Sequence, residues 1–254
     1  MVSTSTATAW VRSWDRQQES YLADREERFQ VIADVIEATA DRQDPLVVDI
    51  GCGPGSLGAR ILDRLPGARV VGADSDPVLL GLGAGAYGDR GNLRFVDTDL
   101  RVDGWTAGLR LDRPADAVVS TTALHWLYTD ELGRVYRDVA GLLRPGGVFA
   151  DGDHIFAGPE QPGLDALGRA VRAARAARAG VEQDAEAWKR WWDEIEADPE
   201  LADLVAERGR RPLDHNMGSD GYYDVRLRLL AEAGFAEAGT IWQSGDDRVL
   251  VALR

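Results

Sequence analysis

The residues of this chain best suited to chemistry are a run of glycines framed by acids, and three histidines spread along 254 residues. The stretch VVDIGCGPGSLGARIL, residues 47–62, sets Asp49 two positions ahead of Gly51, with Gly53, Gly55 and Gly58 following. Glycines in such a turn let the backbone take positive φ and approach a ligand closely, and a helix opening near Ser56 would aim its first amide hydrogens at that ligand. Gly53, Gly55 and Gly58 satisfy the dinucleotide spacing G-x-G-x-x-G, and Asp74 ends the next apolar run, where a ribose-binding acid belongs. Two ligand classes use a turn of this kind. Asp49 separates them, because a carboxylate there opposes an anionic pyrophosphate and favours a ligand with a cationic amine.

These residues need elements to hold them. PLVVDI, ARVVGAD, NLRFVD, ADAVVS and GVFADGD read as strands, alternating with helical patterns at Leu57–Leu65, at the glycine-rich PVLLGLGAGAYG, and at Leu132–Leu143, the last closed by RPGG. Strands alternating with helices imply right-handed crossovers and a parallel sheet covered on both faces. FAEAGTIWQ, the turn SGDD and RVLVAL form a hairpin, so the last strand runs antiparallel to its neighbour. The expected fold is α/β: a doubly wound, mostly parallel, seven-stranded sheet with an antiparallel last strand, plus a helical lid insertion. Helical spacing of Leu22, Phe29, Ile32 and Ile36 predicts an amphipathic helix over about 17–39, behind a mobile Ser/Thr-rich start. Residues 156–218 carry only helical signals, including an Ala/Arg-rich stretch read as solvated helix and the face Trp188, Trp191, Trp192, Ile195. The organisation expected is an N-terminal helical cover over 1–44, a ligand-binding domain over 45–155 and 219–254, and a helical lid or substrate insertion over 156–218.

In open parallel sheets the ligand sits at the carboxyl ends of the strands, where the first strand-to-helix turn lies. VVDIGCGPG at that turn resembles the first motif of the class I S-adenosylmethionine-dependent methyltransferases, in which the acid and glycine backbone hold the methionine end of the cofactor. VVGADSDP resembles the second motif, so that Asp74, with Ser75 beside it, takes the ribose hydroxyls. FVDTDL resembles the third and implies that Asp99 accepts from the adenine amine while the Leu100 amide reaches a ring nitrogen; Asp97 is the rival for that contact. DAVVSTTALHWL, carrying Ser120 and Thr121, and LLRPGGVF look like the motifs of the fourth strand and of the turn before the fifth. The resemblance covers about 45–155 and 220–254 and implies S-adenosylmethionine as cofactor.

Methyl transfer is an in-line displacement, so the protein chiefly aligns acceptor and methyl; a base is needed where the acceptor must lose a proton. In the small-molecule enzymes that the chain resembles, a histidine after the fourth strand and an acid after the fifth flank the acceptor. His125 and Asp153 hold those places, with His154 next to Asp153 and His215 in the insertion as further candidates, each having a structural hydrogen-bonding role as its alternative. Trp126 follows His125 where some relatives carry a second histidine. Trp188, Trp191 and Trp192, with Trp10, Trp14 and Tyr21, either line an apolar or aromatic acceptor pocket or pack the insertion onto the sheet. Cys52 reads as a small residue in a crowded turn.

Composition narrows the partners. With 29 basic against 43 acidic residues the net charge is −14, which argues against nucleic acid and anionic membrane as partners. One cysteine, the absence of any apolar run of about 18 residues, and a start without a signal pattern lead to the expectation of a soluble, cytoplasmic protein. No N-P-P-Y-type motif follows the fourth strand, which removes the usual signature of enzymes that methylate the amines of DNA bases and amides. Lys189 is the only lysine, a codon-usage feature of a G+C-rich bacterial coding sequence. Neither the spacing nor the composition sets the oligomeric state. The expected activity is methyl transfer to a small organic acceptor, apolar or aromatic, of the kind met in secondary metabolism. The alternatives are a nicotinamide-dependent oxidoreductase, disfavoured by Asp49 and the lack of a Tyr–Lys pair, and a non-methylating S-adenosylmethionine-binding protein on the same fold.

Overall fold

A computed structural model describes residues 2–20, 23–181, 184, 186–213 and 221–254. Its centre is a seven-stranded sheet: β1 (Leu46–Ile50), β2 (Arg69–Asp74), β3 (Leu93–Asp97), β4 (Ala115–Thr121), β5 (Leu143–His154), β6 (Glu237–Ser244) and β7 (Asp247–Leu253). The spatial order is β3-β2-β1-β4-β5-β7-β6, parallel throughout except that β7 runs antiparallel to both β5 and β6. The order reverses between β1 and β4, which places a crevice above their carboxyl ends. Every residue of β1 is buried, as a near-continuous apolar run demands when both faces of a parallel strand are covered.

The helices are α1 (Thr4–Glu19), α2 (Arg25–Thr39), α3 (Ser56–Arg64), α4 (Pro77–Tyr87), α5 (Thr129–Leu142), α6 (Pro162–Arg178), α7 (Ala187–Ala197), α8 (Ala202–Arg208) and α9 (Tyr223–Glu232). Leu132, Val135, Tyr136 and Val139 of α5 and Leu229 and Leu230 of α9 cover one face of the sheet; Phe29, Ile32 and Ile36 of α2 and Leu57 and Ile61 of α3 cover the other. A third core joins Val11 of α1, Leu79 and Leu82 of α4, and Trp191, Trp192 and Ile195 of α7. The Ala/Arg-rich α6 is solvated as its composition predicts, with Ala176 its one buried residue.

Two local expectations are corrected. The helix expected over 17–39 is two helices, and the Ser/Thr-rich start belongs to the first of them; Tyr21 and Leu22 lie outside the described residues. The Ser3 hydroxyl caps the Thr6 amide at 3.2 Å, and Ala7 and Val11 are buried in the third core, so tertiary packing overrides weak propensity. RPGG, expected to close α5 as a turn, lies within β5: Leu143 pairs with Ala115 and Val148 with Ala117, leaving an irregularity between them.

Two arginines are sealed inside this fold. Arg28 of α2 and Arg226 of α9 are at most 1% exposed, and each reaches a carboxylate from the opposite face of the sheet, Asp247 and Asp151 respectively. Removing one member of such a pair leaves a buried charge uncompensated. Arg226→Met should therefore lower unfolding stability by about 3–5 kcal/mol, and Arg226→Met with Asp151→Asn by less, as read by urea denaturation at pH 7.

Candidate active site

A cleft of about 600 Å³ opens at the carboxyl ends of β1, β2, β4 and β5, where the order of the strands reverses. Gly51 and Gly53 form its floor, both at positive φ (66° and 54°), and Gly55 follows at 83° as the residue before α3. The three glycines serve different ends. A Cβ on Gly51 would come within 2.3 Å of the Ala123 side chain, and one on Gly55 within 2.6 Å of the Phe95 ring, so these two permit close packing. At Gly53 the nearest atoms, on Trp14 and Leu79, are 3.7 and 3.9 Å away, so its bare backbone faces the cleft. Cys52 is buried beneath the turn with its thiol pushed well up by burial, in keeping with a packing role.

Asp49, at the end of β1, is 1% exposed and neither carboxylate oxygen has a hydrogen-bond partner. Burial and the neighbouring Asp74 push its pKa up to about 8, with the Gly58 amide pulling weakly the other way. An acid without a cation in a dry place next to the glycine turn opposes any added anion and gains from an added cation. Asp74 lines the cleft at the end of β2; its oxygens accept from the Gly53 amide at 2.8 Å and the Asp76 amide at 2.9 Å. Burial raises it to about 6 while those amides restrain it. It thus ties the glycine turn to the start of α4, and its remaining lone pairs are what a pair of ribose hydroxyls would use.

Ser75, Asp99, Leu100 and Thr121 also line the cleft. Asp99 does so with its carboxylate engaged: burial pushes it up, but the Arg101 guanidinium at 2.9 Å outweighs this and holds it low. An adenine amine there would share that carboxylate with Arg101. The rival Asp97 is directed elsewhere, into a two-point pair with Arg211 at 2.7 Å, and does not line the cleft. Ser120 is a correction: fully buried and away from the cleft, its hydroxyl donates to the Ile50 carbonyl at 2.9 Å and ties β4 to β1.

At the other end of the cleft His125 and His154 both line the wall. His125 Nδ1 lies 2.9 and 3.0 Å from the two oxygens of fully buried Asp153. Burial pushes the Asp153 carboxyl up, but His125, Arg226 and Arg28 outweigh it and hold it ionised. An ionised carboxylate only accepts, so Nδ1 carries a hydrogen and Nε2 is the nitrogen not engaged by Asp153. His154 is different. Its Nδ1 faces Arg172 at 3.0 Å, and burial, Arg28 and Arg172 push its pKa down to about 3, so it stays neutral. That corrects its candidacy as a base. His215 lies outside the described residues.

Of the aromatic candidates, Trp14, Trp126, Trp188 and Trp192 line the cleft. Trp191 and Trp10 do not. Trp191 is 3% exposed and packs edge-on against Trp10, Trp14 and Trp192, and the Trp10 indole donates to Asp198 at 2.7 Å, so both join α1 to α7. Three residues of the site were missed in the sequence. Arg25 lines the cleft beside Asp15 at 2.9 Å; Arg28 donates to Thr122 at 2.9 Å and to the Gly152 carbonyl at 3.0 Å; Arg226 backs Asp151 and Asp153. The signal was available for two of them: Arg28 shares a helix face with Ile32 and Ile36, and Arg226 with Leu229 and Leu230.

The unpartnered Asp49 has a measurable cost. Its folded pKa lies above the unfolded value, so the folded protein binds the extra proton and stability falls as pH rises toward about 8. Asp74, Asp151 and Asp247 are raised only to about 6, so among the described acids Asp49 is the one lifted to about 8. Asp49→Asn should flatten the loss of stability as pH rises toward about 8, a difference of up to about 3 kcal/mol, seen by urea denaturation of the ligand-free protein.

Residues 48–149 match the family model described as "Methyltransferase domain". Among curated proteins the chain is 33% identical over 147 residues to the trans-aconitate 2-methyltransferase of Streptomyces avermitilis, over 56% of this chain and 51% of that protein. It is 32% identical over 138 residues to the trans-aconitate 2-methyltransferase of Azoarcus sp., over 54% and 49%. The chain thus spans about half the length of the curated relatives it matches. Among solved structures, magnesium protoporphyrin IX methyltransferase from Synechocystis with bound SAH aligns over 96% of this chain and 94% of that one, with a TM-score of 0.57 and 18% identity. Human N-acetylserotonin methyltransferase in complex with SAM aligns over 95% and 56%, with a TM-score of 0.53 and 16% identity. At those identities the structures speak to the fold, which is shared, while the matched domain and the curated relatives speak to descent. Through residues 48–149, which carry the glycine turn, the chain is similar to methyltransferase domains, and it shares their fold.

Proposed function

We propose that the protein binds S-adenosylmethionine in this cleft and transfers its methyl group to a small organic acceptor. The observation that carries the reading is the glycine floor of Gly51 and Gly53 with Asp74 on the cleft wall bound to the Gly53 amide, and the buried acid Asp49 behind that floor, a setting that favours a ligand with a cationic end over an anionic one. When bound, the cofactor supplies an electrophilic methyl carbon and a thioether leaving group. The chain's residues then have these roles: Asp49 and the floor of Gly51 and Gly53 take the methionine end, Asp74 and Ser75 the ribose, and Asp99 and the Leu100 amide the adenine. Gly55 permits the turn by packing on Phe95.

His125 is the base for an acceptor that must lose a proton. Asp153 holds its Nδ1 hydrogen, so Nε2 takes the acceptor's proton as the acceptor's electron pair forms the new bond to the methyl carbon. The proton taken from the acceptor would leave His125 as an imidazolium beside the Asp153 carboxylate, which balances the charge that the sulfonium gives up. Trp14, Trp126, Trp188 and Trp192 support an apolar or aromatic acceptor, and α7 and α8, beside the mouth, act as the cover that keeps water from the sulfonium. A second reading, an organic acid as acceptor, is favoured by Arg25, a cation in the cleft wall, and by the similarity to trans-aconitate 2-methyltransferases.

Calorimetry should show micromolar binding of S-adenosylmethionine and S-adenosylhomocysteine and none of NAD. Asp74→Ala should weaken that binding by about 1.5–3 kcal/mol. Tight NAD binding without a response to S-adenosylhomocysteine would sink the reading. With an acceptor drawn from a panel of phenols and organic acids, His125→Ala should lower turnover by a factor of about 10²–10⁴ and leave cofactor affinity within a few-fold. Turnover close to the parent's would make His125 structural.

A further inference from the structure

His154 has a partner that decides its chemistry. Arg172, on α6, points Nη1 at His154 Nδ1 from 3.0 Å, and the same nitrogen pairs with Asp246 Oδ2 at 3.2 Å. A guanidinium has hydrogens to give and no lone pair to accept with, so the nitrogen it faces must be bare. A neutral imidazole carries its one hydrogen on the other nitrogen, Nε2. The side chain is largely buried, and Arg172 holds its Nδ1 edge.

We infer that Arg172 fixes His154 as a neutral hydrogen-bond donor on the acceptor wall, so that the site selects acceptors with an oxygen lone pair beside the atom that is methylated. The two histidines hang from one carboxylate with opposite polarity. Asp153 accepts from His125 Nδ1 and from the His154 amide, so when both rings are neutral Nε2 of His125 is bare and Nε2 of His154, whose Nδ1 faces Arg172, carries the hydrogen. A hydroxyl flanked by a carbonyl, a second hydroxyl or an ether oxygen matches both: one oxygen gives its proton to His125 and the other accepts from His154. The described charges facing His154 are of both signs, and with burial the cations prevail. Arg172 of α6 and Arg28 of α2 oppose a third positive charge, as does His125, whereas Asp153 and Asp246, the latter 3.8 Å away, favour it but are already paired with cations. Arg172 is a positioning residue: it acts on the acceptor only through His154.

The acceptor half of this inference rests on the methyl-transfer reading; the tautomer half does not. With three histidines in the chain, nitrogen-15 NMR of the imidazoles, assigned by His154→Gln and carried out on the full chain with and without S-adenosylhomocysteine, reads both rings directly. His154 should show a bare Nδ1 and a protonated Nε2, unchanged from pH 5.5 to 8.5. Arg172→Met should make it titrate or mix tautomers, and Arg172→Lys, which restores a donor without a lone pair, should rescue it. A hydrogen on Nδ1, or titration of the parent His154 in that range, would overturn the inference whatever the cofactor does. Among acceptors turned over in competition, those with the neighbouring oxygen should be preferred by about tenfold or more, and His154→Phe should erase the preference. Equal turnover of acceptors lacking that oxygen defeats the selectivity while leaving methyl transfer standing; failure to bind S-adenosylhomocysteine defeats methyl transfer and leaves the tautomer result intact.

Discussion

A carboxylate at the end of a fully buried strand, with no cation to meet it, is the constraint around which this site is organised. Asp49 is held there because β1 lies at the centre of the parallel sheet, where burial on both faces removes the water that would solvate the charge. The same placement raises its pKa and costs the ligand-free fold stability, and it defines what must enter: a cation, at the glycine turn. Asp74 on the next strand adds to the negative potential while its own oxygens pin the turn to α4. The glycine turn and the Asp74 side of the cleft are thereby held by adjacent strand ends in fixed register.

The acceptor end is built on the opposite principle. Its acids are paired, Asp151 with Arg226 and Asp247 with Arg28, and the pairs come from helices on the two faces of the sheet. That arrangement lets Asp153 remain ionised although buried, and an ionised Asp153 fixes the hydrogen of His125. A buried acid without a cation thus stands behind the glycine turn at one end, and paired charges at the other hold His125 in place. The insertion takes part in both: Arg208 pairs with Asp76 at the start of α4 at 2.7 Å, and Arg172 reaches His154.

Much of this was legible in the residues. The alternation of apolar runs with helical spacing determined seven strands and their kinds of connection, because crossovers of that length permit only a parallel sheet and a short turn only an antiparallel pair. The acids and glycines of the first turn were legible for the same reason: each stands at a strand end, and strand ends in this topology face one crevice. What periodicity could not separate was direction. Ser120 and Thr121 are neighbours in sequence, yet one ties two strands together and the other lines the cleft; Trp191 and Trp192 alternate in the same way, since successive residues point to different sides of their element.

By itself the sequence determined the sheet, the glycine turn and the acid before it, since these follow from local periodicity and the fixed handedness of crossovers. Only the tertiary structure decided which partner His125 and His154 each meet. That depends on partners far away in the chain: Asp153 is 28 residues from His125, and Arg172 is 18 residues from His154 on a helix that sequence alone assigned to solvent. Only tertiary structure, too, brought Arg28 and Arg226 under the acceptor wall, 219 residues from Asp247 and 75 from Asp151. The physical reason is that a side chain's protonation and tautomer answer to the charges within a few ångströms, and sequence spacing does not record those distances.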